Sequence, residues 1–176
     1  MHHQTSHFSF AARLLHWLMA TMILSMLVIG LDKNLLWLHE PLGISILVLA
    51  FIRIHVRLND DAPPLPQDIP PVQRLAARLS HLLLYALMVI MPLVGWSMVS
   101  AEGSPIVLMG WLQLPSIMPH DIQLYHALRK AHMLLAILLA GTFGMHFLAA
   151  LYHALIRQDG VFSSMASGGR RADTEW

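Results

Sequence analysis

Three histidines, His132, His146 and His153, interrupt residues 131–156, a run that holds no Asp, Glu, Lys or Arg. A run of that length can cross a bilayer, and ionisable groups at such depth are rare and usually functional. His132 and His146 are 14 residues apart, which on a helix is roughly 21 Å along the axis and about 40° around it. One helix face then presents an imidazole near each membrane surface. A single helix cannot complete an axial pair on a metal ion, so ligation requires two further histidines at matching depths on neighbouring helices.

The elements that would carry them follow from the apolar runs. Residues 14–31 form a first uncharged span with His16 in its opening turn, followed at once by Trp17. After Asp32-Lys33-Asn34, a second run covers residues 35–52 and begins near His39. Pro41 is tolerated in its first turn, where no helical N–H partner is needed. Gly43, four residues after His39, leaves room on nearly the same face for a flat ligand. Residues 53–78 change character: Arg53, Arg57, Arg74 and Arg78 bracket NDDAPPLPQDIPP, whose prolines predict an extended surface loop. A third span covers residues 79–99 and begins near His81. Residues 100–130 carry Gly103, Pro105, Pro115 and Pro119 with Trp111 and Tyr125, which predicts a partly interfacial connection with room for a short helix. Residues 131–156 are the fourth span, and 157–176 read as a polar tail. The whole chain is expected to form one transmembrane domain, an all-α four-helix bundle in the membrane.

Composition agrees, since 56% hydrophobic against 12% charged residues is too apolar for a solvated surface. A formal net charge of +1, with cations scattered at segment ends, gives no case for nucleic-acid binding. The absence of cysteine excludes disulfides, thiolate iron–sulfur ligation and covalent haem attachment. Arg13 alone precedes the first apolar run, with no small-residue cleavage pattern behind it, so that run is expected to be a retained span.

Lys and Arg set the orientation. With four spans, Arg13, the four arginines of the second connection, Arg157, Arg170 and Arg171 fall on one side, and Lys33, Arg129 and Lys130 on the other. Both termini are therefore expected in the cytoplasm. His16 and His146 then lie near the inner leaflet, and His39 and His132 near the outer one. Two facing imidazoles are what a non-covalent haem iron needs on its two axial sides, so the four histidines predict two b-type haems stacked across the membrane. Packing histidines, a zinc site and a proton relay compete with that reading. Zinc usually wants four close ligands, and a relay usually recruits a carboxylate; no Asp or Glu lies deep in these spans.

Haem propionates need cations. Arg53 is 14 residues after His39 and reaches the layer of the inner pair, while Arg129 lies one turn before His132. Both are candidate propionate partners, the competing role being a snorkelling helix-end charge. His81 and His153, near the inner surface, are candidates for a quinone site, because quinone reduction needs protons and histidine titrates near neutrality. Other histidines, His2, His3, His7, His55, His120 and His126, fall at or outside span ends and read as surface groups.

LLHWL around His16, HEPLGISILVLAFIRIHVRL from His39, SHLLLYALMVIMPLVG around His81 and RKAHMLLAILLAGTFGMHFLAALYHAL from Arg129 together resemble the bacterial cytochrome b561 family, which includes superoxide oxidase. The resemblance covers all four spans, and the spacing of His132 and His146 is its most specific part. It implies two b haems with His16, His39, His132 and His146 as axial ligands, an inner-membrane location and electron exchange with ubiquinone. It also implies a superoxide-oxidising surface at the outer haem. With both axial positions filled, chemistry is confined to electron transfer at the haem edge, from an outer donor such as superoxide to ubiquinone. A haem-bearing anchor subunit of a periplasmic dehydrogenase or hydrogenase is the alternative, and a histidine-based metal or proton transporter a third. The chain departs from the family mainly in its loops, where a donor would be selected.

Overall fold

In the computed structural model, which describes residues 7–60 and 68–166, four long helices follow one another: α1 (Phe10–Ile29), α2 (Leu36–Asn59), α3 (Pro71–Glu102) and α4 (Ile122–Tyr152). With the π-helical turn that extends α4 to Arg157, all four are long and apolar enough to cross a membrane. The chain is an all-α membrane bundle. α1 packs on α2, α2 on α3 and α3 on α4, the arrangement that short connections between antiparallel neighbours impose. One end of the bundle, the terminal end, carries Phe10, Asn59, Pro71 and Arg157; the other is closed by a hairpin.

Each helix starts and stops for a local reason. The hydroxyl of Ser9 accepts from the Ala12 N–H and caps α1. Pro71 occupies the first turn of α3, where its missing N–H costs nothing, and Gly103, with φ +89°, ends that helix in the left-handed conformation. Asp121 caps α4 by accepting from the N–H groups of Gln123 at 2.8 Å and Leu124 at 3.0 Å.

Two connections differ from the sequence expectation. The extended loop expected over residues 53–78 is much shorter, because α2 continues to Asn59 and α3 already begins at Pro71. Arg53, Arg57, Arg74 and Arg78 are thus helical. Arg, Leu, Ala and Gln are good helix formers, and a 32-residue helix is about 48 Å long, against a hydrocarbon core of about 30 Å. The apolar stretch marks the membrane and not the helix. Residues 61–67, with three of the five prolines, lie outside the described residues, as do His2, His3 and the tail from residue 167.

Residues 103–121 hold no helix; Val107–Leu108 pairs with Leu112–Gln113 as an antiparallel hairpin. Met109 and Gly110 both take positive φ at its turn, the mirror-image geometry that suits a right-twisted ribbon. The indole N–H of Trp96 donates to the Pro115 carbonyl and ties the segment after the return strand to α3. The start of the polar tail is also structured. Residues His153–Arg157 wind into a π turn closed by the Gln158 N–H on the His153 carbonyl at 2.8 Å, and α5 (Val161–Ala166) folds back on the terminal end. There Trp17 donates to the Met165 carbonyl and the Phe8 N–H to that of Ser164.

The core is one apolar layer at mid-height. Met19 and Ile23 of α1, Ile46 and Ala50 of α2, Leu87 and Met88 of α3 and Leu139 of α4 meet there. Outside it, Leu24, Leu134, Ile137 and Leu148 are exposed on the helix surfaces, as lipid-facing side chains must be. Removing the α4 cap with Asp121→Ala should cost about 1 kcal/mol. Thermal unfolding in detergent would register this as a lowered midpoint, with Asp121→Asn nearly neutral.

Candidate functional site

The four predicted histidines meet as two pairs, one on each side of the apolar layer. His16 of α1 faces His146 of α4 with ring centroids 6.1 Å apart and planes at 66°; His39 of α2 faces His132 of α4 at the same 6.1 Å and 66°. Leu139 lies seven residues from each α4 histidine, so a fully apolar stratum separates the pairs. Two imidazole nitrogens bound to one metal at about 2.1 Å each, with about 1.1 Å more to each ring centre, would set centroids roughly 6.4 Å apart. Both pairs are close to that separation. Among the described residues no group of three or more His, Cys, Asp or Glu gathers as a closed metal centre would require. Two-point axial coordination is what this donor set can offer.

At the hairpin end, the Nδ1 atoms of His39 and His132 are buried without a hydrogen-bond partner. Each ring lies against a glycine. A Cβ on Gly30 would come within 3.4 Å of His39 Cε1, and one on Gly95 within 3.1 Å of His132 Cε1. These glycines let α1 and α3 close on the imidazole edges. Gly43, expected from its spacing to be open toward a ligand, lines a cleft with His39, Glu40, Pro92, Gly95 and Trp96. Arg129 and Lys130 are exposed on α4, one turn before His132. The side chain of Lys33, their expected companion, lies outside the described residues.

The terminal-end pair is more crowded. Arg53 places Nη2 2.9 Å from Nδ1 of His16 and Nη1 3.2 Å from the Ala12 carbonyl, with its guanidinium 5.9 Å from the centre of the Tyr85 ring. The 14-residue spacing thus does bring Arg53 to the layer of the His16–His146 pair. Arginine has no acceptor, so Nδ1 of His16 must accept, leaving the proton of the neutral ring on Nε2. Metal binding through Nε2 therefore requires Arg53 to let go and the proton to move to Nδ1. His81 stands 5.2 Å from His146, ring centre to ring centre, too close for a metal ion between them by the same geometry.

His81 and His153, grouped by sequence, occupy different surroundings. His153 donates from Nδ1 to Asp159 Oδ2 at 2.7 Å, while Arg157 Nε reaches the same oxygen at 3.0 Å and also pairs with Asp68. Burial works to raise the Asp159 carboxyl. The hydrogen bonds from His153 and the Val161 N–H, with the charges of His153 and Arg157, outweigh it and hold that group below the usual carboxylate range. The contacts that Gly30, Gly95, Tyr85 and Asp159 make with the site were not legible in the sequence. The first three act across helix–helix contacts, and Asp159 reaches His153 only because the π turn brings it back.

The family profile described as prokaryotic cytochrome b561 matches residues 7–168. A protein of Yersinia pestis described as probable superoxide oxidase CybB is 32% identical over 133 residues, covering 73% of this chain and 72% of its own. Cytochrome b561 homolog 2 of Escherichia coli (strain K12) is 31% identical over 162 residues, covering 85% and 86%, and its homolog 1 is 26% identical over 127 residues, covering 72% of each.

Because the Gly95 contact is tight and Gly141 has open space around it, alanine should act oppositely at the two positions. Gly95→Ala should displace the His132 ring and perturb the optical and electron paramagnetic resonance spectra of any haem iron the pair holds. Gly141→Ala should leave both spectra unchanged.

Proposed function

The chain belongs to the prokaryotic cytochrome b561 family and is accordingly a multi-pass bacterial membrane protein that binds b-type haem and takes part in electron transfer; we propose that it carries electrons across the inner membrane from an outer donor, superoxide being the leading candidate, to ubiquinone. The observation that carries this reading is the equal geometry of the two histidine pairs, 6.1 Å and 66° in each. On it, His39 and His132 hold one haem near the outer surface, and His16 and His146 hold a second near the cytoplasm. The haem irons supply reversible one-electron chemistry when bound.

The protein's own residues do the rest. The glycine-backed rings of His39 and His132, each with a buried Nδ1 that makes no hydrogen bond, fit an axial pair held in place before it binds. His16 fits once Arg53 moves, and the released guanidinium is then placed to neutralise a propionate in a poorly solvated layer. Arg129, exposed one turn before His132, is the matching candidate outside. The apolar stratum around Leu139 keeps water and protons from crossing between the pairs. Both termini lie in the cytoplasm on this reading, by the excess of arginine on that side.

A superoxide donor suits the exposed Arg129 and Lys130, which would raise the local concentration of an anion. Glu40, beside His39 in the hairpin-end cleft, opposes them. The relative from Yersinia pestis is named a probable superoxide oxidase, which favours superoxide over a protein donor. Quinone reduction at the terminal end would draw on His81 and His153.

Single alanine variants of His16, His39, His132 and His146 should each lose about one of two haems, measured by pyridine haemochrome against protein. Retention of both haems in any of the four would remove that residue from the ligand set. Superoxide-driven haem reduction should slow as salt rises, the Debye length being about 10 Å at 0.1 M. Arg129→Gln with Lys130→Gln should lower both the rate and its salt dependence, and Glu40→Gln should raise the rate. Stopped-flow rates indifferent to salt and to all three changes would discard steering while leaving the conduit.

A further inference from the structure

The connection between α3 and α4, residues 103–120, holds no Asp, Glu, Lys or Arg, whereas residues 60–70 at the opposite end of the bundle carry three aspartates. Loops that stand in bulk water are dominated by polar and turn-forming residues. This one instead exposes Val107, Met109, Trp111, Leu112, Ile117 and Met118. Met109 and Trp111, on either side of Gly110 at the hairpin turn, are 84% and 75% exposed. Met109 takes φ +54°, at a position where a mirror-image hairpin turn ordinarily carries Asn, Asp or Gly. A large apolar side chain thus occupies strained backbone and stays outside the packing of the bundle.

Depth decides what this surface meets. Met88 belongs to the mid-height apolar layer; Trp96 and Ser100 follow it on α3 by eight and twelve residues, hence roughly 12 and 18 Å farther along the axis. Both hold the connection. The Trp96 indole N–H donates to the Pro115 carbonyl at 3.1 Å, and the Ile117 N–H donates to the Ser100 hydroxyl at 3.2 Å. Ile106, 4% exposed, lines the His39 cleft with Gly95, Trp96 and Val99, and its carbonyl accepts from the Leu114 N–H at 2.9 Å. After the left-handed stop at Gly103 the chain therefore turns back along α3, and the hairpin springs from the level of Trp96 to Ser100. A hydrocarbon core of about 30 Å ends about 15 Å from its centre, with the headgroup layer reaching about 20 Å. The roots of the hairpin straddle that boundary. From Ile106 to Met109 an extended chain reaches about 10 Å at most, so the turn stays near the same level.

We propose that the 107–113 hairpin is a membrane-interface anchor, seated in the lipid headgroup layer beside the bundle with Met109 and Trp111 among the acyl-chain ends. Open strand edges exclude it from the hydrocarbon itself, and its uncharged apolar side chains exclude it from bulk water. The interface satisfies both, because water there bonds the free edges while an amphipathic indole and its apolar neighbours enter the lipid. Lipid is the occupant by continuity: Leu93 on α3 and Ile122 and Met133 on α4 are exposed apolar residues that flank the hairpin in the chain, and the hairpin extends that lipid-facing surface. Through Ile106 the anchor also holds one wall of the cleft beside His39.

The chain has no cysteine, so single-cysteine variants can carry a nitroxide spin label at one chosen site. Met109→Cys and Trp111→Cys report on the turn. Ile137→Cys, exposed two residues from Leu139, marks the hydrocarbon, and Gln123→Cys, exposed in the first turn of α4, marks the aqueous side. Each haem-loaded variant is placed in phosphatidylcholine vesicles, and its power saturation is measured with oxygen, which concentrates in lipid, and with a water-soluble nickel chelate. The oxygen-to-nickel accessibility ratio at both turn sites should lie severalfold above that at Gln123 and below that at Ile137, with haem content and spectra as in wild type. The two turn sites are read independently, so loss of haem in one variant leaves the other to decide. A ratio at the turn equal to that at Gln123 would put the hairpin in water and overturn the anchor. Exclusion of both reagents would show that protein covers the turn, and dipolar broadening that vanishes on dilution with unlabelled protein would identify the cover as a second copy; either overturns it as well.

Discussion

An imidazole at membrane depth has no water to bond, and every arrangement in this bundle answers that constraint. Leaving a polar ring unpaired in an apolar setting costs about 1–3 kcal/mol by protein mutational measures. The bundle places four such rings in two facing pairs and fills the level between them with Met19, Ile23, Ile46, Ala50, Leu87, Met88 and Leu139. α4 contributes to both pairs and to the layer between. Its register therefore fixes the height of the site as a whole, and a slip of one residue would rotate both rings off the shared face.

The two ends solve the problem differently. At the hairpin end the ring nitrogens Nδ1 of His39 and His132 are buried without a hydrogen bond, and glycines press on their edges. Order there comes from steric fit. At the terminal end order comes from charge and hydrogen bonding: Arg53 grips His16 and the Ala12 carbonyl, and Asp159 grips His153. An end held by packing presents its rings with little rearrangement, whereas an end held by hydrogen bonds can exchange protons and partners.

The terminal end is also where the chain ties itself together. α5 returns to Trp17 and the residues before α1, and Arg157 reaches Asp68 ahead of α3. The π turn makes this return possible, since the extra residue per turn redirects the chain after Tyr152 and carries Asp159 back toward His153. An uninterrupted α-helix would have carried that carboxylate away along the axis.

By itself the sequence determined what periodicity and composition can carry: four apolar spans, two histidines 14 residues apart on one helix, and partners for them at matching depths on the first two. Depth along a helix is linear in residue number, so the pairs were legible once the spans alternated in direction, and so was the level of Arg53. Only the tertiary structure decided what depends on two elements meeting at a given rotation. That includes the glycines under His39 and His132, the Arg53 contact that fixes the His16 tautomer, and the different surroundings of His81 and His153. It also decided how far the helices run past their apolar cores and where the chain turns into a hairpin or a π turn. Helix propensity and backbone hydrogen bonding set those limits, and neither is written in hydropathy.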